Sequence, residues 1–412
     1  MSSDLLLREI PGDRLIVAID PGKAFHRVWL TSGERGLIGE PVSLPVLRDG
    51  VDELGRLIRA SGVPGRPVIG LEATGSLHRA WAAELERRWP GSLRLFAPSE
   101  TTAARGQLGS RRFKTDDRDC AALVWLVRQG AGRPVEPDTV EALRGSVRHR
   151  RQLVTARRGL QQRLHDQLNA LCCGLSAPAG HGRALKLESP TGQAVLGCAA
   201  AFEGRPPTAR SLLARAPGRM TPATATFWAE RWKQLLAPPP DAGLRAQRLG
   251  SDLRRWQDLQ ADIAGEEHQL AALLALSDGQ ILTSLPGVAA VRAAALTAFT
   301  LPIERWATPE HLYSATGLAP ASYRSSTVTR RGRISRQGLP EHRDALMAIA
   351  WGLSQNSPAF KTRDRELRAR GFRPIQARVA LARHACRLCW RLLQSQQPFD
   401  EQRYDRARQR GQ

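Results

Sequence analysis

The stretch LIVAID, Leu15 to Asp20, is five apolar residues closed by an acid, and Pro21-Gly22 breaks it immediately afterwards. A short apolar run bounded by turn residues reads as a buried strand. Its last residue is therefore a carboxylate fixed at the end of a rigid element. PVIGLE, Pro67 to Glu72, repeats the arrangement and is followed by the turn ATG. Working outward, PGKAF turns the chain into His26 to Thr31, which alternates as a hairpin partner, and Val51 to Ala60 reads as a helix. Ser76 to Arg88 reads as a second helix with apolar Leu77, Trp81 and Leu85, and Leu93 to Ala97 as a strand. Asp116 to Gln129 reads as a third helix that packs through Ala121, Leu123, Val124, Leu126 and Val127, with its acidic side turned toward Asp20. The first ~135 residues are thus an α/β unit.

In KTDDRD, Lys114 to Asp119, the acids Asp116 and Asp119 stand three apart and share one helical face. With Asp20 and Glu72 they make four carboxylates on the ends of rigid elements. Oxygen-only ligands suit hard Mg²⁺, and two such ions about 3.5–4 Å apart hold both oxygens of an in-line phosphoryl displacement. Any one of these acids alone reads equally as a helix cap or a solvated charge. Taken together and in this order, they follow the logic of RNase H/RuvC nucleases.

The composition points to a polyanionic partner. Lys and Arg number 61 against 39 Asp and Glu, a net +22, which suits nucleic acid better than a small neutral substrate. Only Lys23, Lys114, Lys186, Lys233 and Lys361 are lysines, so codon bias accounts for Arg over Lys but not for the excess of positive charge. Ala321 to Gln412 carries 20 Lys and Arg against 7 Asp and Glu, more than half of the net charge, and is the leading phosphate-contact segment. The start, MSSDLLLREIPGD, has no basic region followed by a long apolar run, and the longest apolar stretch, Ala345 to Leu353, is too short to span a bilayer. These features predict a cytoplasmic, nucleoid-associated bacterial protein. Six cysteines do not make a disulfide framework here; Cys386 and Cys389 form a CxxC pair within an amphipathic helical pattern, and Cys172 and Cys173 read as helix-packing residues.

Three domains are expected: an α/β unit over 1–135, a helical coiled-coil middle over 136–280, and a mainly α end over 281–412. In the middle, Leu143 to Leu171 reads as a long Arg-rich helix. Leu249, Leu253, Trp256, Ile263, Leu270 and Leu274 follow heptad-like spacing, as in an antiparallel coiled coil or a dimer seam. Ala177 to Gly243 reads as a small helical insertion in which Phe227, Trp228 and Trp232 serve either as core or as base-stacking residues. Leu285 to Leu296, LPGVAAVRAAAL, reads either as a helix-hairpin-helix that aims backbone N–H groups at a phosphate or as a plain turn before a packed helix.

The strings AIDPGK, GLEATG and KTDDRDCA resemble the three signatures of the DEDD transposases of insertion sequences, the IS110 family. The C-terminal part adds LTSLPGV, Leu282 to Val288, and YSATGLAPASYRSSTVTRRGRISRQG, Tyr313 to Gly338, so the resemblance covers both ends of the chain in order. It implies a RuvC-like metal domain holding Mg²⁺, as two ions, on Asp20, Glu72, Asp116 and Asp119. It also implies a coiled coil leading to a transposase domain with a nucleophilic serine, and an element-encoded noncoding guide RNA that chooses donor and target DNA. The family pattern puts the serine five residues after the Pro of a GL-x-P turn; Gly317, Leu318 and Pro320 set that frame, and it falls on Ser325. Ser326 stands where the family usually has Gly, which leaves the register open between the two. A serine hydroxyl needs a base, a metal or a dense positive field to react; Arg324, Arg330, Arg331, Arg333 and Arg336 supply the field or, on the plainer reading, form a loop that only touches phosphate.

The reading that results is a transposase that cuts and rejoins DNA to mobilise its insertion sequence through a phosphoserine–DNA intermediate. Acids and serine lie at opposite ends of the chain, so a homo-oligomer, dimer or tetramer, is expected to complete the site. Two alternatives stay open: a RuvC-like structure-specific endonuclease with water as nucleophile, and a non-catalytic nucleic-acid-binding protein.

Overall fold

The computed structural model describes residues 14–33, 35–109, 114–135, 138–176, 184–202, 204–324 and 329–410, with backbone alone at 322–324, 329–332 and 407–410. The chain divides into two compact units, Met1–Pro137 and Asp138–Gln412.

The first unit contains β1 (Leu15–Pro21), β2 (Phe25–Ser32), β3 (Gly36–Leu37), β4 (Val42–Pro45), α1 (Arg48–Ala60), β5 (Val68–Glu72), α2 (Arg79–Arg88), β6 (Leu93–Phe96), α3 (Pro98–Gln107) and α4 (Asp116–Arg128). The sheet runs β3-β2-β1-β5-β6, with β4 also paired to β2. β1 and β2 form an antiparallel hairpin, while β5 lies parallel to β1 and β6 parallel to β5. Both faces of β1 are covered, which explains why LIVAI is apolar without alternation. Leu15, Val17 and Ile19 pack with Leu54, Trp81 and Leu85 of α1 and α2, whereas Ile16 and Ala18 pack with Cys120, Leu123 and Val127 of α4.

Strand parity then aims the acids. Successive side chains alternate between faces, so Asp20 follows Ile16 and Ala18 onto the face that α4 covers. Glu72 follows Val68 and Gly70 onto the same face, one step beyond the paired Ile19 and Leu71. Gly70 lets the helix come down: a Cβ there would sit 2.7 Å from Val127 Cγ2 and 3.3 Å from the Phe96 ring. The short β3 and β4 and helix α3 are additions to the sequence reading. In α3, PSETTAARGQ has almost no apolar stripe for periodicity to reveal; it buries Thr101, Ala104 and Arg105.

The second unit is almost wholly helical. Its elements are α5 (Asp138–Leu171), α6 (Pro190–Ala200), α7 (Ala209–Arg215), α8 (Pro222–Lys233), α9 (Ala242–Ala275), α10 (Ala290–Thr300), α11 (Pro309–Ala315), β7 (Pro320–Arg324), β8 (Thr329–Ile334), α12 (Pro340–Asn356), α13 (Pro358–Ala369), α14 (Pro374–Ser395) and α15 (Glu401–Arg410). α5 and α9 are 34 residues each and run antiparallel. Arg150 pairs with Glu267, while Arg163, further along α5, pairs with the earlier Asp252 of α9. At one end of this pair Leu160, Leu164, Leu168, Leu249, Leu253 and Trp256 pack with α6, α7 and α8. At the other, Val140, Leu143, Leu270 and Leu274 join the core of α10 to α14.

Within the insertion Trp228 and Trp232 are buried, whereas Phe227 is 42% exposed. The two tryptophans are therefore core residues. Cys386 and Cys389 are also interior to α14, and burial raises both thiols, Cys389 to about 12. Both pack in the core shared by α10 to α14. Gly287, at φ +74°, sits where a Cβ would lie 2.6 Å from the Gly352 carbonyl oxygen of α12, and its own carbonyl accepts from Arg292 at 2.5 Å. The LPGV turn is thus seated on α12, which is the packing alternative.

Candidate functional site

Three elements of the first unit bring the four acids together. Asp20 is the penultimate residue of β1, Glu72 ends β5 beside it, and Asp116 and Asp119 occupy the first turn of α4. Thr115 caps that helix, its side chain accepting from the Arg118 N–H at 3.3 Å. Carboxylates in a first helical turn also favour the positive end of the helix dipole. Asp20 lies within electrostatic reach of the other three. Burial, then the negative charges of Glu72, Asp119 and Asp116, raise its carboxyl to about 7, with Lys114 opposing.

Asp119 is the deepest of the four, 2% exposed. Arg105 of α3 donates to its Oδ1 at 2.5 Å, and Lys114 Nζ stands 3.9 Å from its Oδ2. Burial nonetheless raises the Asp119 carboxyl above the ordinary range, with Arg105 and Lys114 acting against it. Glu72 accepts a hydrogen bond from Thr74 two residues on. As placed, no three of His, Cys, Asp and Glu among the described residues are close enough to hold a metal ion. Asp119 is turned to Arg105 and Glu72 to Thr74, and the acids interact with Asp20 through their charges. Their chemistry still fits a hard divalent cation. All donors are oxygen, and an acid raised to about 7 by burial and then by its like-charged neighbours is relieved by positive charge.

Asp117, between the two predicted ligands, has a different role. It accepts from Arg27 Nε at 2.6 Å and Trp29 Nε1 at 3.1 Å, both on β2, and the Arg27 guanidinium holds its carboxyl below the usual range. The first turn of α4 is thereby clamped to the hairpin that carries Asp20. Arg105 and Asp117 were both missed by sequence reasoning. The doubled acid in KTDDRD was the available signal for Asp117, whereas nothing local marks Arg105.

In the second unit, β7 and β8 pair antiparallel with Tyr323 opposite Arg330 and Arg324 opposite Thr329. Ser325 and Ser326 lie outside the described residues, as do the side chains of Arg324, Arg330 and Arg331. Arg333 and Arg336 are exposed. Arg336 adopts φ 55° and donates its N–H to the Gly317 carbonyl at 3.0 Å, and Ser335 donates to Ala319 at 2.8 Å. These bonds tie the end of β8 to the GL-x-P turn. Among the described residues no helix is long and apolar enough to cross a membrane.

Residues 17–173 match the DEDD transposase family named for IS110. Residues 279–365 match the family described as Transposase IS116/IS110/IS902. The first match contains Asp20, Glu72, Asp116 and Asp119, the second Ser325, and together they cover more than half of the chain. No curated protein matches it.

Proposed function

Since the chain belongs to the IS110 family of transposases, an enzyme class that cuts and rejoins DNA, we propose that it mobilises an insertion sequence by metal-dependent, RNA-guided serine chemistry. The observation that carries the metal part is the setting of Asp20 at the ends of β1 and β5 and the start of α4, where burial first and then Glu72, Asp119 and Asp116 lift its carboxyl to about 7. Asp20, Glu72, Asp116 and Asp119 would hold Mg²⁺, as two ions. Bound there, the metal supplies Lewis-acid neutralisation of the charge that develops on a phosphate in transfer.

The remaining work belongs to the chain's own groups. The ends of β1 and β5 hold Asp20 and Glu72, and the Asp117 clamp orients α4 so that Asp116 and Asp119 face them. Ser325 is the nucleophile. Its Oγ–P bond forms as the P–O bond to one deoxyribose breaks, and the hydroxyl proton ends on the leaving oxygen. Attack by a hydroxyl of a different strand end reverses the step, freeing Ser325 and rejoining DNA without an external energy source. Arg324, Arg330, Arg331, Arg333 and Arg336 provide positive charge for the approaching phosphates. An element-encoded RNA pairs with donor and target, so that base pairing carries the sequence code while the protein reads shape and backbone. A homo-oligomer brings the required strands together.

A denaturing gel with labelled donor DNA tests the nucleophile: wild type and Ser326→Ala form a covalent adduct, and Ser325→Ala forms none. An adduct from Ser325→Ala but not from Ser326→Ala moves the register by one. Cleavage without any adduct assigns water instead. Sequencing of RNA copurified with the protein tests the guide: one dominant species from beside the reading frame is expected, and full activity after nuclease treatment refutes guidance.

A further inference from the structure

Arg105 is the unusual residue of the first unit: a cation 8% exposed at the edge of an acid cluster. Its Nη1 donates to Asp119 Oδ1 at 2.5 Å and its Nη2 to Thr102 Oγ1 at 3.2 Å, one turn earlier on α3. Its Nε is buried with no partner among the described residues. A guanidinium used only to brace α3 against α4 would be expected to spend all its donors, since a buried unsatisfied donor destabilises the fold. Here one donor is forfeited while another is aimed at a carboxylate of the proposed metal site.

We infer that Arg105 is a positioning residue that competes with a divalent cation for Asp119, and so sets the metal affinity of the site. This rests on the assignment of Asp119 as a metal ligand. Asp119 is too deeply enclosed to serve both partners. Its side chain is 3% exposed, Oδ1 is taken by Arg105, and Oδ2 faces Lys114 at 3.9 Å. A divalent ion at Oδ1 would meet the guanidinium at a few ångströms, where like charges repel strongly in a poorly solvated pocket. Metal entry therefore requires Arg105 to yield Asp119. Groups hydrogen-bonded to a ligating carboxylate ordinarily support metal binding, and removing one weakens affinity by about 10–100-fold. A competing group has the opposite sign.

That sign is measurable without catalysis. Full-length protein, freed of nucleic acid, is titrated with Mn²⁺ by calorimetry and by the electron paramagnetic resonance signal of free Mn²⁺. Arg105→Gln, which keeps much of the volume and hydrogen bonding but no charge, is expected to bind Mn²⁺ at least about tenfold tighter than wild type. Arg105→Lys, which keeps the charge but not the planar fork, should bind Mn²⁺ less tightly than Arg105→Gln. Unchanged or weaker binding in a folded Arg105→Gln protein overturns the inference and makes Arg105 a brace. If Arg105→Gln does not fold, Thr102→Val decides. Loss of the second anchor loosens the competitor and should also tighten Mn²⁺, and no gain there overturns the role. Wild-type binding that is lost in Asp119→Asn shows the ligand assignment to be sound whatever Arg105 does. Absence of Mn²⁺ binding in every protein overturns the metal site and the competition together.

Discussion

Replacing Asp20 by Asn takes one charge out of a cluster in which burial first, and then Glu72, Asp119 and Asp116, oppose its ionisation. Chemistry and stability should therefore move in opposite directions, as expected where a site is strained for function. Asp20→Asn is predicted to abolish recombination, to leave nucleic-acid binding intact and to raise the thermal midpoint. Asp119→Asn should abolish recombination as well but lower the midpoint, because it weakens a buried pair with Arg105. Paired recombination assays and thermal melts check this; a melting temperature that falls in Asp20→Asn would mean the acid is structural. The four acids were legible because each sits at a position that local rules fix, a strand end or an i,i+3 pair. Arg105 was not, since its partner is 14 residues away and across a helix boundary, where only tertiary packing makes the pair.

At the scale of elements, helix α4 is held by shape below and by charge at its tip. Gly70→Val would drive methyl groups into Val127 and Phe96 and is predicted to cost about 1–3 kcal/mol, as overpacking does. It should also reduce recombination more than the stability loss alone explains, since α4 carries two of the acids. Denaturant midpoints alongside activity at a temperature where the variant is fully folded separate the two effects. Strands β1, β2, β5 and β6, helix α4 and the two long helices were readable from apolar runs and periodicity. Helix α3 and the β7–β8 ladder were not: the first buries Thr101, Ala104 and Arg105 in place of an apolar stripe, and the second is written in PASYR and TRRGRI, which read as a basic loop until paired.

Over the whole molecule the excess of arginine reaches into the interior, and it makes the fold sensitive to acid. His342 of α12 is buried, shares a hydrogen bond with Thr300 at 3.1 Å, and is lowered to about 3, first by burial and then by Arg305 and Arg144. The sign follows from proton uptake. Between the unfolded value of 6.5 and about 3 the unfolded chain takes up a proton that the folded chain refuses, so stability is present above 6.5 and falls with pH through that window. The slope from this one group approaches ~1.4 kcal/mol per pH unit. Denaturation midpoints between pH 7 and 5 should drop in the wild type and drop less in His342→Gln, which cannot titrate; parallel curves would exclude the histidine. The antiparallel pairing of α5 with α9 has a different reach. Val140 and Leu143 at the start of one helix share a core with Leu270 and Leu274 at the end of the other. The chain therefore travels out about 50 Å and returns to the neighbourhood it left. For everything that follows residue 275, the excursion from residue 138 amounts to a loop with adjoining ends. Its length is free to vary: whole turns removed in register from both helices would bring the α6–α8 cap inward and leave the base of the pair unaltered, so the arm can serve as a ruler that selection resets without redrawing the parts on either side.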